Sequence, residues 1–327
     1  MKSDTDVITI KTSLVILVLI LLLAGPTFAQ KRSDREEGGF VGQVQKVHVR
    51  VARLVNVSGK SIEGPHIISH TLLYDAERRL LESASFLPGD IPDRRATSKY
   101  DARGNEIEYA SYVHDSLMFK WTASYDAKDR IIQRIYSNGS KSTCTYNSGG
   151  KRGICSRYNR RSSLEHKMVI TYDVRGNEVE KIEYRADGSR NGRYVYAYDV
   201  NGNKIEETHY YKYEGSDHSS KSTFVYDVRG NVIEEAVYLD GTLSSKESHS
   251  YDDKRRLDEA IKYNDDGSIE EQTKLNYNDL DSRGNWTRAT LLRWVTKDGE
   301  SVFEPAMVFH RTITYFGSQT AFANGSN

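Results

Sequence analysis

YDVRGNEVEKIEYRADGSRNGRYVYA, residues 172–197, stops one residue short of the next Tyr-Asp pair, Tyr198-Asp199, and contains two chain reversals. Asp173, directly after Tyr172, is placed to accept backbone N–H bonds in a turn, the usual role of Asp at such positions. Gly176, four residues after the Tyr, supplies the positive φ that a type I turn closed by a G1 bulge requires. Asp187-Gly188 marks the second reversal, since Asp-Gly is among the strongest short hairpin signals. Between the turns, Tyr194, Tyr196 and Tyr198 fall on one face of a strand and Val195 and Ala197 on the other. After Asn177 the apolar residues are Val179, Ile182 and Tyr184, and the change of parity between the first two predicts a β-bulge.

The unit recurs. Tyr-Asp stands at Tyr74, Tyr100, Tyr125, Tyr172, Tyr198, Tyr226 and Tyr251, with weaker Tyr-Asn copies at Tyr146 and Tyr277, so the steps are 26, 25, 21, 26, 26, 28, 25 and 26 residues. The turn residues repeat as Asp101-Gly104-Asn105, Asp173-Gly176-Asn177, Asp199-Gly202-Asn203 and Asp227-Gly230-Asn231, with Gly284-Asn285 in the last copy. Each copy yields two strands of roughly 7–9 residues, about 25 Å long. The expected fold is all-β: an antiparallel meander of about nine 26-residue β-hairpin repeats, some 18 strands by that count, forming a long twisted or spiralling sheet.

Composition agrees with sheets that expose much of their surface. Of 327 residues, 22 are Tyr and 24 Gly, and the 46 basic residues balance the 46 acidic ones. That balance excludes the basic footprint of a nucleic-acid binder. Residues 1–29 read as a signal peptide: an apolar run from Leu14 to Ala24, a Gly25-Pro26 break, and small residues up to Ala29. The membrane is then met only during export. Residues 30–38 read as a flexible linker and 39–315 as the repeat domain, with repeats over about 70–290 and a Trp-bearing capping unit over about 279–315. Residues 316–327 read as a flexible tail. Cys144 and Cys155 flank a turn-rich segment and would reach an oxidising compartment, where they either form a disulfide or remain free thiols.

The Tyr-Asp-x-x-Gly-Asn unit, with its second Tyr and Asp-Gly turn, resembles the YD repeat of RHS-repeat proteins. The resemblance implies a spiralling hairpin sheet, a bacterial source and a secreted, periplasmic or cell-envelope location. In long members of that family the sheet forms a shell around a toxic domain. This chain has fewer repeats, and it carries no Pro between Pro92 and Pro305 where the toxin-preceding core motif would lie.

No nucleophile elbow, phosphate loop or zinc motif occurs, and no cofactor or metal is expected. The Glu column Glu82, Glu108, Glu180, Glu206, Glu234 and Glu259 is either a cation or sugar ladder or a solvated face paired with Lys and Arg of adjacent strands. The turn Asp column offers oxygen for Ca²⁺ but suits turn capping better. Tyr184, Tyr194, Tyr196, Tyr210, Tyr238 and Tyr263 are candidate binding aromatics, unless they pack on each other across strands. The expected function is non-catalytic: a scaffold module contacting a glycan or an envelope protein through its repeated face. The alternatives are a polysaccharide-acting enzyme and a structural protein assembling through open sheet edges. The sequence leaves the oligomeric state open.

Overall fold

The computed structural model describes residues 39–297 and 299–317. The signal peptide, the linker up to residue 38 and the tail beyond Gly317 lie outside the described residues. The chain opens with two long strands, β1 (Val44–Val57) and β2 (Lys60–Tyr74). Next come β3 (Leu80–Leu87), β4 (Ile91–Tyr100), β5 (Glu106–Val113), β6 (Ser116–Tyr125), β7 (Ile131–Tyr136) and β8 (Lys141–Tyr146). β9 (Arg152–Tyr158), β10 (Leu164–Tyr172), β11 (Glu178–Arg185), β12 (Arg190–Tyr198), β13 (Lys204–Tyr213) and β14 (Ser216–Tyr226) continue the meander. The last six are β15 (Val232–Leu239), β16 (Thr242–Tyr251), β17 (Leu257–Tyr263), β18 (Ile269–Leu280), β19 (Trp286–Lys297) and β20 (Glu300–Tyr315).

Every strand pairs antiparallel with its sequence neighbours, and β1 also pairs with β20, from Val44↔Tyr315 to Arg53↔Met307. The sheet is therefore a closed 20-strand barrel. This corrects the expected open, twisted or spiralling sheet. The all-β meander is present, but its two ends meet. The unit over 279–315 does not cap an edge; β19 and β20 form the seam with β1.

The turns show how the repeat works. In each full copy the Gly N–H donates to the Asp carbonyl, as Gly176 to Asp173 at 3.2 Å, and the Asp N–H donates to the Asn carbonyl, as Asp173 to Asn177 at 2.9 Å. Gly176 has φ 89°. The Asp173 carboxylate accepts from the N–H of Arg175 and Asn177 and from the Asn177 amide. The sets at Asp101, Asp199 and Asp227 are alike. Where the Asn is replaced, an Arg takes its place: Arg79, Arg130 and Arg256 donate Nε to Asp75, Asp126 and Asp252 at 2.6–2.8 Å. Tyr158-Asn159 turns the same way with Ser162 at the left-handed position, a copy that the Gly-based search misses.

The parity change after Gly-Asn is a bulge: Thr171 faces Glu180 and Tyr172 faces Glu178, leaving Val179 as the extra residue. The shift recurs at Ile205, Ile233 and Ile107. It lets the repeat Tyr point inward while the following Glu points outward. The Tyr hydroxyl then donates to a backbone carbonyl at the start of the preceding strand pair. Tyr198 reaches Glu178 at 2.9 Å, Tyr226 reaches Lys204 at 2.8 Å and Tyr277 reaches Leu257 at 2.8 Å. Phe would pack equally well and lack that bond, which gives a reason for Tyr at this position.

Burial identifies the inner face. Val47, Val49 and Val51 are 0%, 4% and 1% exposed, while Lys46 and Arg50, which alternate with them, are exposed. The apolar core is off-centre, gathered at the seam around Val47, Val51, Leu72, Leu291, Met307 and Phe309. Outside, the Glu column is paired with neighbouring strands: Glu180–Arg193 at 2.7 Å, Glu206–Lys221 at 2.7 Å, Glu234–Lys246 at 2.8 Å, and Glu108 with both Lys99 and Lys120. This ladder occupies the face where a lipid-embedded barrel carries an apolar band.

Candidate functional site

Away from the seam the inner face is polar and aromatic. Register places Arg134, Ser142, Arg157, His166 and Arg185 side by side in one row across β7–β11. The neighbouring row is Cys144, Cys155 and Met168. Cys144 and Cys155 are bonded, with Cα atoms 4.1 Å apart. Below them Tyr146 faces Gly153, which faces Ile170. A Cβ on Gly153 would lie 3.0 Å from the Tyr146 ring, so a side chain there would displace that ring.

These rows line a chamber of about 730 Å³ against the inner wall of β6–β10. Its floor is apolar: Ile131, the disulfide, Met168 and Ile170. Its walls hold Tyr125, Tyr136, Tyr146 and Tyr172 with Arg130, Arg134 and Arg157. The guanidinium groups lie over rings, Arg130 over Tyr146 at 4.1 Å, Arg134 over Trp121 at 4.2 Å and Arg157 over Tyr136 at 4.6 Å. Arg130 is also paired with Asp126, whose carboxyl that hydrogen bond lowers to about 2. The buried Nε atoms of Arg134 and Arg157 make no hydrogen bond among the described residues, though the Arg157 Nε lies 3.6 Å from a Glu165 carboxylate oxygen. Asp129, the acid among the lining residues, is engaged outward by Arg103 at 2.9 Å and by the Asn105 amide at 2.8 Å. The chamber is therefore positive, ring-lined and apolar at its base.

The candidate aromatics divide between the two faces. Tyr194 and Tyr196 point inward, and Tyr194 stacks on His209 at 4.0 Å with Lys181 over its other side at 3.9 Å. Tyr184, Tyr210, Tyr238 and Tyr263 point outward. Tyr210 lies by Arg193 at 5.8 Å, and Tyr263 lies by Lys246 at 5.7 Å. Four of them recur once per repeat on the outer face and two point inward, and the expected glycan- or protein-contacting scaffold is overturned by the β1–β20 pairing that closes the barrel. Assembly through open edges falls with it, since every strand is paired on both sides. The polysaccharide-enzyme alternative drew only on the divergent copies, the Cys-bearing one and the terminal Trp-bearing one. The Cys-bearing copy lines a chamber with one carboxylate, where glycoside hydrolysis uses two, and the Trp-bearing copy forms the seam with β1. Among the described residues no three His, Cys, Asp or Glu side chains are grouped to hold a metal.

Sequence reasoning missed the basic row. Arg134 and Arg157 sit in the least regular copies and in no motif. The signal available was their spacing from the turns, which fixes inward parity once the bulge is counted.

A second inner group, His70, tests the face assignment. Burial, then the nearby His48, lowers its pKa from 6.5 to about 4. The unfolded chain binds this proton more readily, so the stabilisation is whole above pH 6.5 and is lost as pH falls toward 4. Denaturation across that range should show the wild type losing stability relative to His70→Gln. Parallel curves would place the imidazole in water.

The comparisons are sparse. No family model and no curated relative matches the chain. Among solved structures, a porin-like protein from Bacteroides uniformis aligns at 14% identity and TM-score 0.29, covering 83% of this chain and 96% of that one. A porin-like protein from Bacteroides vulgatus aligns at 11% identity and TM-score 0.23, covering 82% and 98%. The Tc holotoxin pore of Photorhabdus luminescens aligns at 10% identity and TM-score 0.20, covering 78% of this chain and 21% of that one. At these scores the likeness decides neither fold nor function. The closed barrel overturns the spiralling sheet that the RHS/YD resemblance implied and, with it, the carbohydrate-binding expectation.

Proposed function

We propose that this chain is a non-catalytic binding barrel that holds a small amphipathic anion in the chamber on β6–β10, its acidic head on Arg134 and Arg157 and its apolar body over the disulfide, Met168 and Ile170. The observation that carries this is the pair of half-buried Arg side chains above an apolar floor, whose buried Nε donors make no hydrogen bond, the Arg157 Nε having only the Glu165 carboxylate at 3.6 Å. Buried donors without partners are costly, and a ligand carboxylate or phosphate satisfies them with charge-assisted bonds. A volume of about 730 Å³ suits a ligand of drug size. The charged outer ladder and the disulfide fit an exported protein working in water, in the periplasm or outside the cell.

Calorimetry with decanoate and decyl phosphate separates the two head groups, and decanol and decylammonium serve as controls. One anion or both should saturate a single site, and Arg134→Gln or Arg157→Gln should each weaken it about tenfold, the loss of one charged hydrogen bond. Equal binding of decanol, or no change in either variant, would remove the proposal.

A further inference from the structure

The opposite wall of the barrel carries the reverse charge. On the inner face Phe224, Glu235, Glu247, Lys262 and Glu271 form one row across β14–β18. Glu235 and Glu247 face each other directly across neighbouring strands. Like charges so placed repel, and stable sheets avoid the pairing unless something lies between them. Lys262 is drawn away to Glu270 at 2.9 Å. Among the described residues neither Glu235 nor Glu247 forms an ion pair with Lys or Arg.

His249, two residues along the same strand face, is the second observation. Its side chain is 4% exposed, and its Nε2 lies 3.9 Å from a Glu247 carboxylate oxygen, beyond hydrogen-bond distance. Both ring nitrogens lack a partner. Burial lowers its pKa, so the imidazole is neutral and offers an acceptor lone pair.

We propose that this wall binds a primary ammonium ion, with its head between Glu235, Glu247 and His249 and its alkyl arm along Phe224. An ammonium group has three donors, and two carboxylates and one neutral imidazole supply three acceptors. The Phe224 ring already has the Lys204 Nζ 5.6 Å from its centre, and its remaining surface suits an alkyl chain. A metal ion fits less well, since these groups are not gathered at ligand distance. Burial raises the Glu235 and Glu247 carboxyls, with Lys204 opposing this at Glu235. At Glu247 the neighbours Glu235, Glu270 and Glu271 add to the rise and Lys262 opposes it. A bound ammonium would keep both groups ionised.

The test is calorimetric titration of the mature protein at about pH 8 with n-butylammonium chloride, with sodium chloride at matched ionic strength and with calcium chloride. Butylammonium should saturate one site, and Glu235→Gln and Glu247→Gln should each weaken it about tenfold. Glu183→Gln, on the inner face elsewhere, should leave it unchanged. Should a Gln variant fail to fold, the wild type still decides: affinity should fall as pH drops toward about 5 and the carboxylates protonate. Heats equal to sodium chloride, saturation by calcium but not butylammonium, or a flat pH profile would overturn the proposal. Decanoate binding in the same samples reports on the basic chamber separately, so the two sites fail independently.

Discussion

Phe309→Ala should lower the stability of the barrel by about 3–5 kcal/mol in chemical denaturation, the range for emptying a buried aromatic site. Phe309 is fully buried and sits where β19, β20 and β1 meet, paired with Ala289 on one side and Val51 on the other. Its neighbours cannot collapse into the space. Ala289 and Val308 are themselves 0% exposed, and the strands beneath are fixed by ladder bonds on both sides. The seam also joins residues more than 250 positions apart in the chain, so its closure has a large entropic cost that packing must offset. Phe309→Leu should cost less than about 1.5 kcal/mol, and Val225→Ala on the exposed face should stay within about 0.5 kcal/mol. Opening the seam frees two long edges, so Phe309→Ala should also scatter more light on standing. A cost at Phe309 no larger than at Val225 would mean that β1 and β20 do not pair in solution.

The repeat was legible because its chemistry is local. A Gly at a fixed distance from Tyr-Asp, as at Gly176, needs only the next four residues to define its turn, and Val179 reveals its bulge by parity alone. The pairing of the outward Glu180 with Arg193 follows from adjacent strands. Closure was not legible, because it depends on how twist accumulates over twenty strands and on residues outside the repeat. Val47, Val49 and Val51 show a buried strand face but not its partner, Phe309 and its neighbours. The division of Tyr194 from Tyr210 needed the inner face to be known, since both are Tyr on strands of the same unit. The basic row was hidden for a further reason. Arg134 and Arg157 meet only through the β7–β8–β9 register, in the copies where the repeat spacing breaks down.

Asymmetry is what closure adds to a repetitive sequence. Identical units alone would give a barrel of uniform interior. Here the divergent copies set one wall basic, with Arg134 and Arg157, and the regular copies set another acidic, with Glu235 and Glu247. The outer Glu ladder recurs in six copies, with Gln133 in its place in the copy that begins at Tyr125, while the reversal of charge lies on the inner face. Binding inside a closed barrel also reduces the solvent that screens such charges.

Arg311→Ala should cost about 3 kcal/mol, for a reason distinct from the cavity at Phe309. Arg311 points into the seam two residues from Phe309 and is 4% exposed. Its guanidinium lies 3.7 Å from the Trp286 ring centre and 4.8 Å from that of Phe40, and its Nε donates to the Trp286 carbonyl at 2.8 Å. Burial lowers its pKa, opposed by Tyr277 and Asp281, and the guanidinium remains charged at neutral pH. Truncation leaves a buried carbonyl without its donor and removes the layer between two aromatic rings. Phe40 should loosen with it, and the Val41–Asn285 bonds that tie the start of the described chain to the last repeat turn should weaken. Arg311→Met separates the contributions: it restores contact with both rings but neither the charge nor the hydrogen bond, and should recover about half of the loss. Arg311→Lys should fare no better than Met, because an ammonium cannot lie flat between Trp286 and Phe40. Full recovery by Met would show that Arg311 acts by volume alone, and no loss with Ala would place its side chain outside the seam.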